Sequence, residues 1–243
     1  DHAGGAGSLM QLLPDAELLV HPYGARHMID PAKLEAGARA VYGDEMFEEV
    51  YSTLIPVSED RVRIMEEGDE VTLGNRRLRF TDTPGHARHH FCVHDDLTNG
   101  WFTGDSFGLS YREFDTQNGA FVLPTTTPIQ FDPVALKETV RKLVADAPEY
   151  MYLTHYGRVA DVQRLADDLI EGIDTMVGFA EQYKDDEARG EKIETAMRDW
   201  LMTRLREHGV ELPGEQCLEL LDSDILLNTR GIEFWLDHRD RKR

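Results

Sequence analysis

The sequence has few cysteines, few basic residues and no long apolar run. Its two cysteines, Cys92 and Cys217, lie far apart and outside any C-x-x-C pattern, so free buried thiols are expected rather than a disulfide or a ligand pair. Against 26 Lys and Arg stand 46 Asp and Glu, and this net charge of −20 would repel a nucleic-acid backbone. No segment reaches the ~18 apolar residues of a membrane span. We expect a soluble, cytoplasmic protein that binds neither nucleic acid nor membrane.

What is present is typical of a globular fold: 243 residues, of which 41% are hydrophobic and 9% aromatic. The periodicity predicts a helix at 5–13, a strand in "ELLVHP" and a helical region from about Pro31 to Ser52. Short strands bounded by turn residues are predicted next, in "RVRIM", "EVTLG", "RRLRFTDTPG", "HFCVHDD" and "GWFTGD". This alternation of helices and strands predicts an α/β fold.

The C-terminal part is predicted to be mostly helical. In "FDPVALKETVRKLV", Asp132 is placed to cap a helix that has Pro133 at its first position, and the strand "YMYLTHYG" follows. Helical spacing then begins at about Val159. The acidic run "KDDEARGEK" favours a core at 1–184 and a helical extension at 185–243, although an interhelical turn explains it equally well. The extension's apolar side chains are expected to pack on the core or across a homodimer, with a substrate lid as the alternative (Ile225, Leu226, Ile232, Phe234 and Trp235).

Histidines and aspartates recur at the ends of predicted strands, next to glycine or small residues. They are the pair Asp1-His2 before "AGG", His86 in "TPGHARHH", Asp105 in "FTGDS" and His155 in "LTHYG". Imidazole and carboxylate are the ligands that zinc, iron and manganese take in hydrolytic and oxygen-handling sites. Loops at strand ends allow residues distant in sequence to converge on one ion. The pattern therefore predicts a metal site.

In this order and these contexts, the four motifs resemble those of the metallo-β-lactamase superfamily, H-x-H-x-D-H, then a lone His, an Asp and a final His. The resemblance implies a four-layer αββα sandwich followed by the helical extension. Asp1 and His2 match the last two letters of the first motif, so the H-x-H portion and the strands before it are expected to precede Asp1, leaving the first sheet incomplete in this chain. "TPGHARHH", "FTGDSFG", "PTTTP" and "DPVALKETVRKL" further resemble hydrolases of the glyoxalase II-like branch.

The resemblance also assigns ligands to a binuclear site. Asp1, His2 and His155 would hold the second of two divalent ions, zinc or alternatively iron or manganese. Asp105 would bridge to the first ion, which His86 also binds. Asp1 and Asp105 are thereby the expected catalytic carboxylates.

Such a site is suited to hydrolysis without a nucleophilic side chain. Two cations acidify a bridging water, since zinc-bound water has a pKa near ~7, and the hydroxide attacks a carbonyl carbon. The expected function is a metal-dependent hydrolase that cleaves a thioester, ester or lactone of a small acyl substrate. The alternatives are an iron-dependent oxygen enzyme of the same fold, like the persulfide dioxygenases, and a non-catalytic binding protein.

Further polar residues near the motifs are candidates for contact with substrate. Tyr156 follows His155 and could donate to an oxyanion or take a packing role. His90 and His21 are the other two candidates, with a structural role as the alternative for His90 and a capping or surface role for His21. His94, His208 and His238 are expected at the surface.

Overall fold

The computed structural model describes residues 2–126 and 129–239. The chain divides into two compact units, Asp1–Asp69 and Glu70–Arg243. The division predicted at 184/185 lies inside the second unit, in the turn between two of its helices, where the acidic run "KDDEARGEK" stands.

The first unit contains four helices and a two-stranded parallel sheet. In chain order they are α1 (Ala6–Leu12), β1 (Leu18–Val20), α2 (Pro22–Ile29), α3 (Ala32–Tyr42), α4 (Asp44–Val50) and β2 (Val62–Ile64), with β1 paired to β2. The helical region predicted from Pro31 to Ser52 is interrupted at Gly43, whose φ of 83° lies outside the helical range. Arg61 donates to the carbonyl oxygens of Met10 and Ala16, and so ties the end of α1 to the segment before β2.

The second unit is built on a six-stranded mixed sheet. Its strands are β3 (Glu70–Leu73), β4 (Arg76–Asp82), β5 (Phe91–Asp95), β6 (Gly100–Gly104), β7 (Tyr150–Leu153) and β8 (Gly157–Val159), which lie in this order across the sheet. All neighbours are antiparallel except β6 and β7. Those two parallel strands require a crossover, which contains α5 (Pro133–Ala145).

Four helices complete the second unit: α5, α6 (Val162–Tyr183), α7 (Arg189–His208) and α8 (Gly214–His238). The predicted cap of α5 is confirmed, because the Asp132 carboxylate accepts a hydrogen bond from the Ala135 N–H at 3.1 Å. Neither α2 nor β8 is predicted from the sequence. The apolar pattern of α2 is interrupted by glycine. Strand β8 has only three residues and lies at the start of the region predicted to be helical.

Two apolar clusters hold the second unit together. One lies between the sheet and α5 and α6, and includes Trp101, Leu143 and Leu165. The other joins the segment after β6 to the C-terminal helices, and Ile225 and Ile232 of α8 belong to it. The predicted packing of these two side chains on the core is thus confirmed, whereas Leu226 is 39% exposed.

The expectation of free, buried thiols is also met. Both cysteines are free and buried. Within residues 2–126 and 129–239, no helix combines the length and the apolar character that crossing a membrane would require.

Candidate metal centre

Asp105 stands directly after β6 in a loop, and its backbone is hydrogen-bonded to two neighbouring side chains. Its backbone N–H donates to Nε2 of His90 at 3.2 Å, and its carbonyl oxygen accepts from the Thr125 hydroxyl at 3.0 Å. The preceding Gly104 has φ of 50°, and a Cβ there would lie 2.1 Å from His90 Nε2. A glycine is therefore required for His90 to reach the loop. The side chain of Asp105 is only 11% exposed.

His86 lies in the segment between β4 and β5, and its ring is oriented by the 124–126 segment. Its Nδ1 is 3.3 Å from the Thr125 carbonyl oxygen. In the tautomer whose Nδ1–H donates to this carbonyl, Nε2 carries the lone pair that binds a metal, which is the usual support for a histidine ligand. His86 Nε2 lies 3.4 Å from Oδ2 of Asp105.

His155 approaches the other oxygen of the same carboxylate. It stands in the turn between β7 and β8, and its Nε2 lies 3.6 Å from Oδ1 of Asp105. Each oxygen of Asp105 thus faces a different imidazole, as a carboxylate between two ions would. Both separations are long for hydrogen bonds. Tetrahedral ligands about 2.1 Å from zinc are ~3.4 Å apart, so the donor atoms and their spacing fit a metal.

A hydrogen-bonded pair that sequence reasoning missed lies beside these three residues. Tyr111, in the segment after β6, donates its hydroxyl to Oδ2 of Asp224 on α8 at 2.6 Å. The pKa of the Asp224 carboxyl is raised, chiefly by burial, with the charge of Asp105 acting in the same direction and the hydrogen bond from Tyr111 and the charge of His155 opposing it. Burial, together with hydrogen bonds to Asp224 and Tyr156, raises the pKa of Tyr111, which stays a donor. α8 therefore brings a carboxylate within electrostatic range of the candidate centre.

The same helix supports the segment that orients His86. The side chain of Asn228 accepts from the Thr126 N–H at 2.8 Å and donates to the Pro124 carbonyl at 3.1 Å. It is buried, so both bonds are shielded from water. Thr127 and Pro128, the end of the predicted motif "PTTTP", lie outside the described residues.

Comparison with known families agrees with this arrangement. The model of the Metallo-beta-lactamase superfamily matches residues 1–155, well over half of the chain. The chain belongs to this superfamily. The match ends at His155, so α6, α7 and α8 lie beyond the part that the family model matches. The fold is thus the α/β metallo-β-lactamase fold followed by a helical region.

Individual metallo-β-lactamase relatives cover parts of the chain. The metallo-beta-lactamase fold-containing protein ST1585 of Sulfurisphaera tokodaii is 33% identical over 165 residues, or 66% of this chain and 58% of the relative. The acyl-coenzyme A thioesterase MBLAC2 of Gallus gallus is 42% identical over 43 residues, or 18% of this chain and 16% of the relative. The aligned part thus amounts to less than two thirds of either relative's length.

Solved metallo-β-lactamase structures confirm the fold. The crystal structure of ST1585 from Sulfolobus tokodaii matches with a TM-score of 0.62 and 26% identity, over 93% of this chain and 73% of that chain. The family protein TTHA1429 from Thermus thermophilus gives a TM-score of 0.61 with 16% identity, over 100% of this chain and 72% of that chain. At 16% identity, the similarity to TTHA1429 concerns the fold alone.

The remaining predicted metal ligands belong to the first unit. His2 is an exposed residue at its start, and Asp1 lies outside the described residues. Their joining of the metal centre remains a prediction. The structure brings together the three members that belong to the second unit, His86, Asp105 and His155.

Two of the residues predicted to contact substrate, His90 and His21, make hydrogen bonds within the protein. His90 accepts from the Asp105 N–H through Nε2, while its Nδ1 lies 3.0 Å from the Thr83 hydroxyl and 3.1 Å from that of Ser106. These ring contacts favour the structural alternative for His90, in which it positions Asp105; contact with substrate stays a prediction. His21 caps α2, since its Nδ1 accepts from the Tyr23 N–H at 3.1 Å. Capping is one of the alternative roles that the sequence indicated for His21.

The structure also shows where two further predicted side chains, Tyr156 and His94, lie. Tyr156 is 46% exposed beside His155 and remains a candidate for substrate contact. The expected surface position of His94 is wrong. Its ring is buried against Trp101 at 4.8 Å between centroids, and its Nδ1 lies 3.0 Å from Oδ1 of Asp96.

Proposed function

We propose that this metallo-β-lactamase superfamily protein is a metal-dependent hydrolase that cleaves a thioester, ester or lactone of a small acyl compound. The observation that supports this most is the position of the Asp105 carboxylate, with His86 Nε2 facing one oxygen and His155 Nε2 facing the other. These three residues would hold divalent ions, for which we propose zinc. From the resemblance of the first motif, we propose His2 and Asp1 as additional ligands.

Divalent ions bound there would supply hydroxide near neutral pH and polarise the acyl carbonyl. The chain's own residues prepare the donor atoms for them. A hydrogen bond from Nδ1–H of His86 to the Thr125 carbonyl would leave Nε2, which lies 3.4 Å from Asp105 Oδ2, as the atom that binds an ion. His90 fixes the backbone of the Asp105 loop, so the carboxylate need not reorganise when ions bind. Tyr156, next to His155, presents a phenol that can donate to the acyl oxygen or to the leaving group.

Within hydrolases we propose the thioesterase-like, glyoxalase II-like branch. The support is the set of motifs around His86 and Asp105, and the short match to a thioesterase from Gallus gallus. That match covers 18% of the chain, and hydrolysis of a thioester by the purified protein tests this assignment.

Acyl hydrolysis measured anaerobically beside an oxygen electrode tests the function. Protein loaded in turn with zinc, manganese and iron is given a thioester, an aryl ester and a lactone. We expect hydrolysis without oxygen uptake, with a rate that rises through pH ~7 as water bound at the site ionises. Activity that requires iron and consumes oxygen would instead favour the oxygen-enzyme alternative. Tight binding of the acyl compounds without turnover would favour a non-catalytic binding protein.

A further inference from the structure

The C-terminal helix α8 contributes a carboxylate to the surroundings of the candidate centre, outside the part of the chain that the family model matches. The Oδ2 atom of Asp224 accepts a hydrogen bond from the Tyr111 hydroxyl at 2.6 Å. Tyr111 lies six residues after Asp105 on the same connecting segment, so Asp224 is tied to the segment that carries the central carboxylate. The charges of both Asp105 and His155 act on Asp224.

An aromatic stack links this pair to the proposed ligand His155. The Tyr111 ring stacks on Tyr156, with 4.4 Å between centroids and 30° between planes. Tyr156 has φ of 74°, which is rare for a residue with a side chain and is tolerated where surrounding contacts impose it. One such contact is a hydrogen bond of 2.9 Å from Arg112 Nε to the Tyr156 carbonyl oxygen. The turn thereby holds an aromatic face beside the site.

The charges around this stack favour one sign of ligand. Asp224 supplies a carboxylate, and the half-exposed ring of Tyr156, stacked on the buried Tyr111, can attract a cation through its π face. The guanidinium of Arg112, which reaches this turn, is paired with Asp115 at 3.0 Å. The net charge of −20 adds a field that attracts cations to the molecule.

We propose that Asp224, Tyr111 and Tyr156 form an acidic aromatic wall of the substrate site. This wall favours acyl substrates with a cationic or hydrogen-bond-donating group close to the scissile bond, and disfavours those with an anionic group there. Asp224 is thus a specificity-determining residue. The inference rests on the proposed hydrolase function, from which the following experiments separate it.

Three thioesters of similar size that differ in charge test the selectivity: acetylthiocholine, S-acetyl-2-mercaptoethanol and 3-(acetylthio)propionate. For the zinc-loaded protein, kcat/KM is expected to be highest for the cation and lowest for the anion. Asp224→Asn should reduce the ratio of cation to anion about tenfold, because it removes the charge and keeps the shape. Tyr111→Phe should reduce the ratio about threefold, since the carboxylate loses the donor that positions it.

Asp222→Asn is the matched control, since Asp222 lies on the same helix with its side chain 77% exposed, 3.8 Å from Arg198. It changes the net charge equally and should leave the ratio within a factor of two. An equal effect of Asp222→Asn and Asp224→Asn would overturn the wall, because a general field would then explain the selectivity. An unchanged ratio in folded Asp224→Asn and Tyr111→Phe, checked by circular dichroism, would also overturn it.

Binding of the corresponding amides, measured by titration calorimetry, separates the wall from the hydrolase function. The probes are N-(2-trimethylammonioethyl)acetamide, N-acetylethanolamine and N-acetyl-β-alanine, which the protein is not expected to hydrolyse in the experiment. A preference for the cation that Asp224→Asn weakens supports the wall even if no thioester is cleaved, in which case the proposed function alone fails. Cleavage of all three thioesters at similar rates, or equal binding of the amides or binding of none, would overturn the wall.

Discussion

Asp105 is the residue on which the candidate centre depends, because its two oxygens face two different imidazoles. Asp105→Asn replaces one oxygen with an amide nitrogen and removes the charge. We expect bound metal to fall and kcat/KM to drop at least about 100-fold while the fold is kept, since the residue lies in a loop at a strand end.

Metal analysis, acyl hydrolysis and circular dichroism on the same preparation measure these effects. Asp167→Asn, which alters an exposed carboxylate on α6, is the control and should keep full metal content. A folded Asp105→Asn variant with normal metal content and activity would exclude the bridging role.

Gly104 is the second residue whose substitution is informative. A Cβ at this position would lie 2.1 Å from His90 Nε2, and φ of 50° disfavours a side chain. Gly104→Ala should therefore displace His90 from the Asp105 N–H, lower metal affinity about 10- to 100-fold and reduce stability.

Gly178→Ala is the contrasting control, because Gly178 lies in α6 with no atom within 4 Å of the Cβ that alanine would add. It should stabilise the protein by up to about 1 kcal/mol. Urea unfolding and zinc titration of the two variants give the comparison. Unchanged zinc affinity in Gly104→Ala would show that His90 does not control the loop.

Sequence reasoning predicted the residues at strand ends more readily than those that support them. His86, Asp105 and His155 each stand beside a strand with small residues nearby, and the structure brings these three together. The role of His90 depends on how closely its ring approaches the loop after β6, which no spacing specifies. Tyr111 and Asp224 are 113 residues apart, so only the packing of α8 reveals their hydrogen bond.

At the scale of elements, α8 stabilises the segment that orients His86. Asn228 makes two buried hydrogen bonds to the backbone of Thr126 and Pro124. Asn228→Ala would leave those backbone groups without these partners and should lower the free energy of unfolding by about 2–4 kcal/mol. Metal affinity should fall as well, because Thr125 between them supports His86.

Thr229→Val, at the next position, is the matched control. The Thr229 hydroxyl is buried and has no hydrogen-bond partner within the described parts of the chain. Its removal should leave stability unchanged or raise it by about 1 kcal/mol. Urea unfolding of both variants measures the two changes in stability. Equal losses of unfolding free energy would indicate that α8 tolerates no substitution at these two positions, whether or not a hydrogen bond is removed.

Local signals explain which elements the sequence could predict. α5 carries a capping aspartate, a proline at its first position and an apolar stripe, and all three agree with the observed helix. The break between α3 and α4 depends on one glycine within a helical pattern. β8 has three residues, too few for a periodic signal, and it is defined by pairing with β7.

At the scale of the whole molecule, the compact units divide at 69/70 rather than near the end of the family match at His155. The helices after His155 share an apolar cluster with the segment that follows β6. The acidic run at 184–192 spans the turn between α6 and α7 and the first residues of α7. Charge patterning alone does not distinguish a linker from such a solvated turn.

Global stability should depend on pH through the buried thiol of Cys92. Burial raises the pKa of this thiol from 9.0 to about 12. Its stabilising contribution is fully present below pH 9 and is lost as pH rises toward 12, because the unfolded chain ionises first. From pH 8 to 11 the wild type should lose roughly 2 kcal/mol more unfolding free energy than Cys92→Ala.

Urea unfolding at several pH values measures this difference. Cys217→Ala is the comparison, since burial raises the pKa of that thiol less. If wild type and Cys92→Ala lost stability in parallel, Cys92 would not account for any of the alkaline dependence.

Anomalous diffraction from crystals of zinc-loaded protein locates the bound metal relative to Asp105. We expect an ion within ~2.0–2.2 Å of an Asp105 carboxylate oxygen and of Nε2 of His86 or His155, with the second oxygen and the second imidazole arranged in the same way around a second ion. Anomalous density away from Asp105, or histidines bound through Nδ1, would contradict it.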